Sequence, residues 1–236
     1  MTIQANEIYV RSSAKDAEMV AVADRRITKN GIFKCHAKKL FSVPHLNATI
    51  GYFGLASRNE KEMFHSYVPN LINASSGTAD ISEFAEYVRY HLGRDVSSSY
   101  LRKIHSGFHI MGKAPDGVPE FYFVRNFESM NGATYGTKRS EYFISEDFRS
   151  RDLIAETSED SVQNRGVMYV NGEIRSFAPL WRAASAMIRG ASTDPLFENP
   201  KSMKEAALRK MEIVARYHED YAESKLVGRP IDSFEL

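Results

Sequence analysis

Met19-Val-Ala-Val-Ala-Asp-Arg-Arg-Ile-Thr28 decides how this chain reads. An apolar run of strand length ends abruptly on an acid and two arginines. Such a run fits a strand buried on both faces, inside a sandwich rather than on a wet edge. Working outward, Ala37-Lys-Lys-Leu-Phe41 brings a lysine pair to the start of the next apolar strand. Ala48-Thr-Ile-Gly-Tyr-Phe-Gly54 then supplies a strand that ends on glycine. If the strand ends meet, Asp24, Arg26 and Lys39 form one charged cluster. That cluster reads either as an ordinary salt-bridged end of a sheet or as a site.

Composition narrows the classes. The chain has 236 residues, 43% hydrophobic and 26% charged, enough for a sizeable core. Lys+Arg 31 against Asp+Glu 30 leaves a net charge of +1, so neither nucleic acid nor an anionic membrane is called for as partner. The lone Cys35 excludes an internal disulfide and a cysteine metal site. The opening Met1-Thr-Ile-Gln-Ala-Asn-Glu lacks signal-peptide character. No apolar run approaches the roughly 18–20 residues that span a bilayer. The expectation is a soluble, cytoplasmic protein without cofactor or metal.

The rest of the chain alternates in blocks. Strands are expected at 7–13, 18–25, 38–43 and 48–54. Helices follow at 58–73, where Met63, Phe64, Tyr67, Val68, Leu71 and Ile72 form a stripe, and at 81–93 with Phe84, Tyr87, Val88 and Leu92 on one face. A hairpin joins 106–112 to 119–125 through Ala114-Pro-Asp-Gly-Val118, and a second is expected at 167–174, where Asn171-Gly172 suits a type I′ turn. The stretch 127–165 is hard to read and suits an insertion. A helix over 178–189, a capping box of Ser202 and Glu205 opening a helix to about 223, and a final strand at 231–236 complete the order. On that last helix Leu208, Met211, Ala215 and Tyr221 mark the expected buried face. Strands in antiparallel blocks with paired helices point to layers rather than alternating units. The expected architecture is one α+β domain, residues 1–236, a four-layer αββα sandwich.

At this point a resemblance appears. The Lys15-Asp16-Ala17 turn, Ala23-Asp-Arg-Arg-Ile-Thr28, Lys38-Lys-Leu-Phe41 and Gly54 resemble the start of β-type proteasome subunits and their bacterial relatives. These belong to the N-terminal-nucleophile hydrolases. Val227-Gly-Arg-Pro-Ile-Asp232 is similar to a run those subunits carry before their last strand. The resemblance implies an N-terminal threonine that attacks an amide carbonyl, a lysine and an aspartate that assist it, and a glycine beside the oxyanion. It gives Asp24, Lys39 and Gly54 those roles, with Arg26 structural. It also implies a homo-oligomeric ring acting on peptide or protein substrate if active.

Aligning the Lys15-Asp16 turn and Asp24 puts the family's threonine at Glu7 or Ile8, neither of which can attack. Thr2, exposed by removal of Met1, then lies five or six residues early, on the order of 15–20 Å of extended chain. Two readings follow: an assembly protein without a threonine centre, or a threonine-type peptidase or amidase using Thr2 with Lys39 and Asp24. Ser12 and Ser13 fall inside the expected first strand. Gly136 or Thr137 is a loose match to a supporting residue. His105 and His109, four apart on one expected strand, lack a third ligand for a metal. Phe121, Tyr122, Phe123, Tyr142 and Phe143 read as core or subunit contact, and Trp181 as helix packing.

Overall fold

The chain is described from a computed structural model covering residues 3–10, 14–29, 31–59, 62–128, 135–145, 165–172, 177–183, 200–223 and 225–236. It mixes helices with antiparallel sheets. Strands β1 (Ile3–Val10), β2 (Ala17–Asp24), β10 (Arg165–Gly172) and β11 (Ile231–Glu235) form one sheet in the order β10-β1-β2-β11. Strands β5 (Leu40–Val43), β6 (Ala48–Phe53), β7 (Gly107–Lys113), β8 (Pro119–Phe127) and β9 (Lys138–Ile144) form the other, in sequence order. Between them in the chain, β3 (Arg26–Lys29) and β4 (Ile32–His36) make a separate two-stranded hairpin.

The apolar run of β2 now has its reason. Met19, Ala21 and Ala23 face Leu40, Phe53, Met111 and Phe121 of the second sheet. Val20 and Val22 turn the other way, to Trp181, Met203, Met211 and Val214. The latter belong to the helical residues 177–183 (α4) and to α5 (Pro200–Asp220). A strand covered on both faces needs no polar alternation. Helices α1 (Phe64–Ala74) and α2 (Ile81–Asp95), with short α3 (Ser98–Leu101), share a third cluster with Val43, Ile50, Tyr52, Phe108 and Val124. Asp80 caps α2 by accepting from the Glu83 amide. The expected stripes on α1 and α2 are buried except at Met63, which precedes α1, and Tyr87, both of them half-buried.

Several expectations are corrected. The first strand runs over 3–10, not 7–13, because the hairpin turn Ala14–Asp16 sets its pairing with β2. Asn171-Gly172 makes no type I′ turn: both residues continue β10, opposite Gln4 and Ile3 of β1. Long-range pairing with β1 outweighs the local turn preference. The hairpin β3–β4 and strand β9 went unread. Helix α5 starts at Pro200, so Ser202 lies inside it rather than capping it. On its face Met211 and Ala215 are buried, but Tyr221 is exposed. No described helix is long and apolar enough to cross a membrane.

Candidate active site

Asp24 ends β2, and Lys39 immediately precedes β5, so the pair links the facing edges of two sheets. Both side chains are wholly buried. The Lys39 ammonium donates to Asp24 Oδ1 at 3.1 Å and to the Arg26 carbonyl at 2.5 Å. Asp24 Oδ2 accepts from the Arg26 amide at 3.0 Å. Burial holds the lysine below its ordinary pKa, with Asp24 pulling the other way. The guanidinium of Arg26 takes no part in the pair; it stacks 4.9 Å over the Phe33 ring.

The remaining acceptor position of Asp24 decides the geometry of the chain start. Oδ1 also accepts from the Ile3 amide at 2.9 Å. The β1–β2 register places Gln4 opposite Ala23 and Glu7 opposite Val20. Glu7 therefore lies well away from Asp24, and the placement of a nucleophile at Glu7 or Ile8 is corrected. Its carboxylate instead accepts from Lys210 Nζ at 2.6 Å and from the Trp181 indole at 2.9 Å, on the α5 side of the sheet. Thr2, Ser12 and Ser13 lie outside the described residues.

Gly54 joins Lys39 in lining a small cleft, together with Thr28, Tyr52, Leu55 and Ala56. Its φ of +80° is one that side-chain-bearing residues rarely adopt, and a Cβ there would come within 1.9 Å of the His105 carbonyl. Glycine is demanded here by close packing, whatever else its backbone does. His105 precedes β7 rather than lying in it, and its Nε2 lies 2.9 Å from the Gly136 carbonyl. Gly136 thus neighbours the Gly54 turn through His105. Cys35 is half-buried opposite Ile27 on the β3–β4 hairpin. Phe121, Phe123 and Tyr142 are core residues, whereas Tyr122 and Phe143 are half-buried. Among the described residues no group of His, Cys, Asp or Glu is arranged to hold a metal.

Sequence reasoning missed two arrangements. Arg25 donates from Nε to both Asp232 oxygens at 2.9 Å, tying the site's strand end to β11. The acid in the Val227–Asp232 run was the available signal, but its partner was not. The second lies between the sheets. His109, wholly buried, sits between Asn6 and Asn171, with Asn6 Nδ2 2.6 Å from Nδ1 and Asn171 against Nε2. Burial pushes its pKa down to about 3. A neutral imidazole carries one N–H and one bare nitrogen, so one of the two amides must turn its oxygen toward the ring. Gln4, also wholly buried, fills the space where a Gly51 side chain would begin.

No family model and no curated protein matches the chain. Among solved structures, Anbu (ancestral beta-subunit) from Yersinia bercovieri is similar at a TM-score of 0.48 and 12% identity, over 99% of this chain and 81% of that one. A likeness at that level assigns neither activity nor family. The reading of residues 7–54 as the start of a β-type proteasome subunit is therefore corrected. The motifs behind it are a strand end, a tight turn and a glycine packed against the His105 carbonyl.

Proposed function

We propose that this protein is an amide hydrolase whose nucleophile is the Thr2 hydroxyl, brought to the chain terminus when the Met1–Thr2 bond is cut. The observation that carries the reading is a shared oxygen: Asp24 Oδ1 accepts both the Ile3 amide and the Lys39 ammonium. Residue 2 is one peptide unit, about 3.3 Å of extended chain, from that anchored amide. In this reading the α-amino group of Thr2, or Lys39 in its neutral form, takes the hydroxyl proton as Oγ bonds to the substrate carbonyl carbon. The C–N bond then breaks, the proton passes to the leaving amine, and water hydrolyses the ester to restore the hydroxyl. The lowered pKa of Lys39 favours this, since more of the amine is neutral near pH 7 than for an exposed lysine. Gly54, in the same cleft, is proposed to present its N–H to the developing oxyanion. The three apolar clusters support an αββα layering around this site.

The test combines mass and labelling. Intact-mass analysis is expected to show Met1 absent, and a β-lactone electrophile to add to Thr2. Thr2→Ala and Lys39→Ala are each expected to abolish peptide-amide cleavage. Cleavage that persists in Thr2→Ala, or a chain that keeps Met1 and still turns over substrate, sinks the reading.

A further inference from the structure

Carboxylates are missing from one long stretch of the chain. From Arg25 to Asn59 there is no Asp or Glu, while Arg25, Arg26, Lys29, Lys34, Lys38, Lys39 and Arg58 all fall inside it. That stretch builds β3 to β6, and every residue lining the cleft beside Lys39 comes from it. Some of these cations are already neutralised: Lys39 by Asp24, Arg25 by Asp232, and Arg58 by Glu62 and Asp95. Lys29, Lys34 and Lys38 are exposed and carry no ion pair among the described residues. Lys29 follows the cleft residue Thr28, Lys38 precedes Lys39, and Lys34 lies across the hairpin on β4. The Lys38 ammonium is held 5.3 Å over Phe41 and 5.5 Å over Phe234, which fixes a positive charge next to the site. Two acids at the site's strand ends are already engaged. Asp24 is engaged by Lys39 and two amides, and Asp232 by Arg25.

We propose that the cleft selects acidic peptides, with an apolar or small side chain seated between Ile27, Tyr52, Leu55 and Ala56 and carboxylates on its neighbours facing Lys29, Lys34 and Lys38. The inference names the substrate class of the hydrolase reading and rests on it for turnover, although binding requires no nucleophile. Opposite charges at the mouth raise both the local concentration of such a substrate and its rate of encounter. A nucleic acid would be drawn by the same lysines. The narrow apolar cleft and the net charge of +1 favour the peptide, since phosphate backbones call for a broad basic face.

Fluorescence anisotropy with two dye-labelled tetrapeptides, Glu-Glu-Ala-Leu and Lys-Lys-Ala-Leu, tests this on the full chain. The acidic peptide is expected to bind about tenfold or more tightly, an advantage that shrinks as salt rises to ~0.2 M and charges are screened. The double variant Lys29→Glu/Lys34→Glu changes exposed positions only, and is expected to reverse the preference while its circular dichroism stays unchanged. Equal binding of the two peptides, binding of neither, or an oligonucleotide that binds more tightly and displaces both would overturn the proposal. Selective binding without cleavage would instead sink the hydrolase reading and leave the acidic preference standing.

Discussion

Two buried polar clusters lie on the two-sheet frame, and they are built oppositely. Asp24 and Lys39 are charged, joined by a direct ion pair, and Lys39 lines an open cleft. Asn6, His109 and Asn171 are neutral, and the imidazole is enclosed by the rings of Phe53, Phe121 and Phe123. Charging His109 would strand an ion among aromatic rings, so it contributes to stability by staying neutral. Burial holds Lys39 below its ordinary pKa, against the pull of Asp24, where it borders the small cleft. Burial lowers the basicity of both; of the two, the lysine borders a cleft. The contrast separates a group suited to chemistry from one that fixes how two sheets face each other.

The largest break in that comparison is expected from Lys39→Met. It leaves the Asp24 carboxylate buried without its cation, a loss of about 3–5 kcal/mol where one partner of a buried pair is removed. Urea denaturation measures it. The double change Asp24→Leu/Lys39→Met should recover a good part of that loss, whereas equal or worse stability would place the effect in packing rather than charge.

Next comes acid sensitivity. His109 has a folded pKa of about 3 against 6.5 for an ordinary histidine. Between those values the unfolded chain binds the extra proton, so stability is intact above about pH 6.5 and falls as the pH drops toward 3. The slope from this group is about 1.4 kcal/mol per pH unit. His109→Gln, which cannot take up a proton, should flatten the decline between pH 6 and 4. An unchanged slope would mean that carboxylates alone govern acid unfolding.

The smallest effect is expected at Gly54. Gly54→Ala places a Cβ against the His105 carbonyl and strains a positive φ, costing about 1–3 kcal/mol. If the cleft acts as proposed, the same change should lower kcat more than it raises KM. A stability loss with unchanged kinetics would confine Gly54 to packing.

How far the sequence was legible depended on whether a feature was local. The apolar run of β2 and the stripes of α1 and α2 were readable because a continuous apolar run and helical spacing are written in neighbouring residues. Strand β9 was not, since its exposed Arg139-Ser-Glu141 shows little apolar pattern. The hairpin β3–β4 exposes Ile32 and Phe33, which reads as neither buried strand nor polar turn. Asp24 and Lys39 could be named from strand ends, but the position opposite them could not.

What the sequence alone determined, then, is a protein of layered helices and antiparallel strands, with an acid and a lysine brought to strand ends. Only the tertiary structure decided which residue of the first strand meets Asp24. It also decided that Glu7 serves α5 and that His109 is sealed between two amides. Composition and periodicity encode which faces are apolar. Register is a property of two strands at once, and shifting one strand by a single residue turns every side chain to the other face. The choice of Ile3 over Glu7 beside Asp24 is of that kind: an energy shared by distant segments and legible in neither alone.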